Sequence, residues 1–153
     1  MTVCFTGHRK IEPEQMLQLP QRLDDVLEEL IFRGATEFRA GGALGFDTLA
    51  ALKVLEKKQK YPRVRLVLML PCRDQTKGWT ERNCEIYRYI LSHADAVHYS
   101  AEAYTPSCMH ARNRALVQGS DVCVAFCTER KGGSAFTLSL AEKQGVKIIQ
   151  LIS

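Results

Sequence analysis

The chain has 153 residues, 46% of them hydrophobic and 25% charged, enough for one domain with a proper core and too few for two. A formal net charge of +4, carried by basic residues that are spread rather than clustered, mildly favours anionic partners and makes nucleic acid an unlikely one. No apolar run nears the roughly 20 residues of a membrane helix, so no membrane partner is expected; six cysteines with no CxxC pair and no signal peptide before them point to a reducing cytoplasm.

Strand and helix patterns alternate along the chain. Val3 to Thr6 reads as a strand stopped by Gly7. Leu23, Val26, Leu27 and Leu30 fall at helical spacing; Pro20 suits the first turn of that helix and Gly34 its end. Thr36 to Ala40 is a second strand. Leu49, Leu52, Val54 and Leu55 belong to the next helix. Val64 to Leu70 is a nearly continuous apolar run ended by Pro71, as suits a strand buried on both faces of a parallel sheet. After a looser stretch, Cys72 to Thr80, come a helix with Ile86, Tyr89, Ile90 and Leu91 and a short strand, Ala94 to Tyr99. Ser107 is placed to cap a helix carrying Met109 to Val117. Asp121 to Cys127, a helix through Thr137 to Lys143, and Val146 to Leu151 complete the series. This order predicts a single α/β domain: a three-layer, Rossmann-like arrangement with a mostly parallel sheet and helices on both faces.

Ligands of such sheets bind beyond the carboxyl ends of the strands, where the winding reverses. The unusual segments of this chain all follow strands. Arg39-Ala40-Gly41-Gly42-Ala43-Leu44-Gly45-Phe46-Asp47 opens a helix. Its glycines let another molecule approach the backbone, and the helix start favours an anion. The spacing matches neither GxGxxG nor a Walker loop. Asp47 lies in the first helical turn, either as a cap or as a partner for a sugar hydroxyl. Gly132-Gly133-Ser134, with Thr137 a turn later, is a second anion seat or a capped helix start. Gly7-His8-Arg9 adds a titratable ring and a cation suited to bidentate phosphate contact. Arg112 and Asn113 are adjacent on a helix, so they point about 100° apart and need not share a target. Trp79, with Gln75 four residues earlier, either stacks on a base or packs a helix start. Cys108 and His110 form too weak a pair to predict a metal.

Thr6-Gly7-His8-Arg9, the Gly41–Asp47 loop, Pro71 with Gln75 and Trp79, Met109 to Arg114, and Gly132-Gly133-Ser134 with Thr137 occur in this order. Together they resemble the SLOG superfamily of DprA-type and LOG-type Rossmann-like domains, and its YpsA-like branch most. The resemblance implies a site for nucleotides or nucleotide-derived ligands of the AMP, ADP-ribose or NAD class, with no cofactor required. Gly41, Gly42, Ala43 and Gly45 together with Gly132, Gly133, Ser134 and Thr137 would hold phosphate. Arg9 and Arg112 would neutralise it, and Asp47 would take a ribose hydroxyl. The oligomeric state stays open, a homo-oligomer included. LOG-type relatives imply an alternative, phosphoribohydrolase activity on a nucleoside monophosphate. Arg112 matches their Met-His-x-Arg arginine. Their glutamate after the Gly-Gly loop has no counterpart, since the first acid here is Glu142, about one turn too late. A DprA-like single-stranded nucleic-acid module is the second alternative.

Overall fold

In a computed structural model, which describes residues 1–128 and 131–152, the expected alternation is realised. The elements are β1 (Thr2–Gly7), α1 (Leu19–Phe32), β2 (Glu37–Ala40), α2 (Phe46–Lys60), β3 (Arg65–Leu70), α3 (Glu81–His93), β4 (Ala96–Tyr99), α4 (Cys108–Val117), β5 (Val122–Phe126), α5 (Gly133–Lys143) and β6 (Lys147–Gln150). The six described strands form one sheet in the order β4-β3-β2-β1-β5-β6, and every pairing is parallel.

Handedness explains the layers. From β1 to β4 the chain steps one way across the sheet, and right-handed crossovers then place α1, α2 and α3 on one face. The return from β4 to β5 reverses direction, which sends α4 and α5 to the other face. Strand β1 divides its side chains accordingly. Val3 and Phe5 pack with Leu23, Leu27, Phe38 and Phe46 toward α1–α3. Cys4 packs with Cys123, Leu116, Val117 and Ala141 toward α4 and α5. Phe5 stacks on Phe38 at 6.2 Å and meets Phe46 edge-on at 6.3 Å.

Local signals behave largely as read. Pro20 sits in the first turn of α1 and Gly34, at φ +106°, follows its end. Ser107 occupies the N-cap position of α4, but its side chain makes no capping bond there. The end of α4 is held by a residue with no sequence-local relation to it. Arg39 of β2 bonds Glu37 through Nε at 2.8 Å, and its Nη1 donates to the carbonyls of Ala115 and Gln118. A cation at a helix C-terminus satisfies orphan carbonyls and suits the dipole.

Arg39→Leu is expected to lower stability by about 2 kcal/mol, the scale of a charged hydrogen bond lost from a part-buried position. Urea denaturation measures it; a loss under about 0.5 kcal/mol would mean that water serves the α4 carbonyls equally well.

Candidate functional site

A cavity of about 430 Å³ opens beyond the carboxyl end of β1, beside its junction with β5, where the winding reverses. Thr6 to Arg9 line it from β1, Ala43 and Asp47 from the start of α2, and Met109, His110, Arg112, Asn113 and Leu116 from α4. Lys131, Gly132, Gly133 and Ser134 line it from the start of α5. Ten of the predicted site residues are thus brought together: Gly7, His8, Arg9, Ala43, Asp47, Arg112, Asn113, Gly132, Gly133 and Ser134.

The Gly41–Gly45 glycines stand behind the cavity wall rather than on it. A Cβ on Gly45, at φ +78°, would lie 2.1 Å from the Arg9 carbonyl oxygen. The Phe46 N–H donates to the His8 carbonyl at 3.0 Å across that contact. A Cβ on Gly41 would lie 2.7 Å from Arg112 Nη1 and 2.9 Å from Asp47 Oδ2. One on Gly42 would strike Leu70. The loop is therefore glycine-rich because α2, α4 and the β1 loop converge on its backbone. It contributes Ala43 and Asp47 to the cavity, and the Ala43 N–H is taken by Asp47 Oδ2 at 3.1 Å.

Arg112 is 5% exposed and Asn113 6%. Adjacent helical residues were expected to diverge, yet Arg112 Nε folds back to donate to Asn113 Oδ1 at 2.8 Å, and both face the cavity. Arg112 Nη1 donates to the Gly41 carbonyl. Arg114, by contrast, is exposed. Burial pushes the Asp47 carboxyl above its ordinary range, against the pull of the Arg112 charge, the Ala43 N–H and the Arg9 charge. Burial likewise lowers Arg112 from its ordinary value, with Asp47 opposing.

At α5 the hydroxyls are committed to backbone. Ser134 Oγ donates to the Gly7 carbonyl at 2.6 Å, which ties α5 to β1. Thr137 Oγ1 donates to the Gly133 carbonyl at 3.0 Å; it is 1% exposed and does not line the cavity. Among the described residues no side-chain cap is made at the N-cap position of this helix, Gly132. A Cβ on Gly132 would meet nothing within 4 Å, and one on Gly133 would meet only Asn113 Nδ2, at 3.7 Å. Here the glycines leave the backbone open. Lys131, absent from the sequence-based site, lies beside them; its signal was a cation directly before the glycine pair. His8 is tied to the end of β5: the Thr128 N–H donates to its Nε2 at 2.7 Å, and Thr128 Oγ1 lies 2.9 Å from the same nitrogen.

Gln75 and Trp79 do not line this cavity; Trp79 lines a smaller pocket with Gly42 and Asp47, and a Cβ on Gly42 would lie 3.2 Å from Gln75 Oε1. Trp79 meets Tyr87 of α3 edge-on at 5.5 Å, and Tyr87 donates its hydroxyl hydrogen to Gln75 Oε1 at 3.4 Å. Burial and the neighbouring Tyr99 push Tyr87 up to about 12. They follow β3, two strands from the reversal, and pack with α3 on the face opposite α4. Glu142, the first acid after the second glycine pair, is exposed at the far end of α5. Among the described residues Asp47 is the sole carboxylate lining the cavity. No three of the described His, Cys, Asp and Glu residues are grouped to hold a metal ion, and no described helix is long and apolar enough to cross a membrane.

The profile of the YspA SLOG family (YpsA) matches residues 3–151. The chain belongs to this family. It is 35% identical over 107 residues to a UPF0398 protein of Bacillus thuringiensis (strain Al Hakam), covering 68% of this chain but 58% of that protein, so it spans little more than half of such relatives. It is 30% identical over 141 residues to the uncharacterized SPbeta prophage-derived protein YoqJ of Bacillus subtilis (strain 168), covering 84% and 82% of the two chains. Among solved structures this SLOG domain is similar to DNA processing protein A from Helicobacter pylori, which has a single-stranded DNA binding mode. The TM-score is 0.71 at 23% identity, over 98% of this chain and 64% of that one. DNA processing protein A from Streptococcus pneumoniae gives 0.70 at 17% identity, over 97% and 49%. At these identities the likeness shows the fold. The expectation that nucleic acid is an unlikely partner finds no support in such neighbours, and net charge alone is too coarse to uphold it.

Asp47 makes a pH prediction. Its raised folded value means that the native state holds the proton longer than the unfolded chain. Stability therefore falls as pH rises from about 4, the ordinary carboxylate value, toward the raised one. Asp47→Asn copies the protonated form, so its stability relative to the parent should improve as pH rises through that window. Urea midpoints at pH 4 and 7 test this; the opposite trend would show that Arg112 holds the carboxylate ionised.

Proposed function

We propose that this SLOG domain binds a small nucleotide or nucleotide-derived ligand of the AMP, ADP-ribose or NAD class, without a further cofactor. The observation that carries the reading is the start of α5, which no described side chain caps and where no described atom crowds Gly132 and only Asn113 approaches Gly133, facing a cavity whose wall holds the buried Arg112. A helix N-terminus of this kind favours a phosphate. Arg9 and Lys131 at the exposed rim neutralise the phosphate charge. Asp47, buried in the cavity wall, takes a sugar hydroxyl. The first glycine loop positions Asp47 and Arg112 and leaves the phosphate to the second. Ligand sensing fits a site that holds several donors and, among the described residues, a single carboxylate.

A second reading rests on Asp47 alone. Cleavage of an N-glycosidic bond needs a carboxylate near the oxocarbenium-like sugar, and Asp47 is the described group in place for that role. Release of free base from nucleoside monophosphates, lost in Asp47→Asn, would establish it. A single-stranded nucleic-acid module would instead bind an oligonucleotide with strong salt dependence and ignore mononucleotides.

Thermal-shift screening with AMP, ADP-ribose, NAD and a short oligonucleotide separates these readings. A ligand at 100 times its Kd stabilises by about 2.7 kcal/mol, on the order of 5–10 °C for a domain of this size. Gly133→Asp puts a carboxylate at the anion seat without steric conflict, so it should abolish the shift while leaving the unliganded melting temperature within about 2 °C. No shift with any nucleotide, or full binding by Gly133→Asp, would overturn the proposal.

A further inference from the structure

A nucleotide also carries a base, and the aromatic groups around the cavity are not equally able to meet one. Trp79 is engaged edge-on with Tyr87 outside the cavity lining. Phe5 lines the cavity but is fully buried, between Phe38 and Phe46. His8 lies against Phe126, with its Nε2 tied to Thr128. His110 differs. It lines the cavity, is exposed, and stands in the first turn of α4. Its ring centroid lies 4.3 Å from that of Phe136, tilted by 47°.

Phe136 is in the first turn of α5, three residues after Gly133 and so about 4.5 Å further along the axis. The His110–Phe136 pair thus joins the starts of the two helices and stands next to the proposed anion seat. A free exposed ring would lose rotamer freedom on stacking. A ring already seated on Phe136 has lost much of it before any ligand arrives. Every base offers a π-face, so such a platform selects for the presence of a base more than for its identity.

We propose that His110, backed by Phe136, is the stacking surface for the base of the ligand, which makes it the residue that distinguishes a nucleotide from a bare sugar phosphate. This rests on the binding reading above, with phosphate at the start of α5. His110 is a specificity residue here and takes no part in proton transfer.

Calorimetric titration of AMP and of ribose 5-phosphate into the whole chain, His110→Ala and His110→Phe tests it, with circular dichroism confirming the fold of each variant. His110→Ala should weaken AMP about tenfold, the scale of one stacked base, and change ribose 5-phosphate less than about twofold. His110→Phe, which keeps a flat ring over Phe136, should hold AMP within about threefold of the parent. Unchanged AMP binding by His110→Ala, or equal losses for both ligands, would overturn the stacking role and leave the phosphate seat standing. A parent chain that binds neither ligand would overturn the site itself, and the stacking role with it.

Discussion

Arg112 is a permanent cation in a nearly water-free position, and the site is organised by what that charge requires. An unpartnered buried guanidinium is far too costly to persist. Its donors go to the Gly41 carbonyl and to Asn113, and Asp47 supplies countercharge from across Gly41. Those partners come from β2's loop, α2 and α4, so satisfying one side chain draws three elements of two different layers to one point. The same burial acts on Asp47, whose ionised form is disfavoured despite the neighbouring cation. Two opposite charges that share a desolvated wall each moderate the penalty on the other.

The two glycine loops have different duties. Around Gly41–Gly45 the missing side chains make room for protein: the His8–Arg9 backbone, Leu70, Arg112 and Asp47 fill the space that Cβ atoms would need. Around Gly132–Gly133 they leave room that the described residues do not fill. Ser134 strengthens the contrast, since its hydroxyl bonds the Gly7 carbonyl and anchors α5 to β1. One loop builds the wall and the other leaves the opening.

Much of the fold was legible because a parallel sheet buries its strands on both faces, which leaves continuous apolar runs such as residues 66–70 of β3 and Val122–Phe126. Of the site, the segments after β1, β2 and β5 and the start of α4 were legible for the same topological reason. The individual contacts were not. Arg112 and Asn113 meet because a long side chain can fold back along its helix, which angular spacing ignores. Thr137 carries the right hydroxyl at a plausible spacing, but helical geometry turns it to the Gly133 carbonyl. Trp79 follows a strand like the segments that line the cavity, yet β3 stands two strands from the reversal.

By itself the sequence determined the alternation of strands and helices, the positions of the glycine loops and the chemistry available after each strand. These are local properties, written in periodicity, turn residues and order along the chain. Only the tertiary structure decided that β1 and β5 are neighbours, and therefore which post-strand segments meet. It also decided which glycines serve packing and which are left uncrowded by the described residues, and it placed His110 rather than Trp79 in the lining of the cavity that Gly132 and Gly133 share. Each of those outcomes depends on residues far apart in the chain competing for the same space, and spacing along a sequence carries no record of that competition.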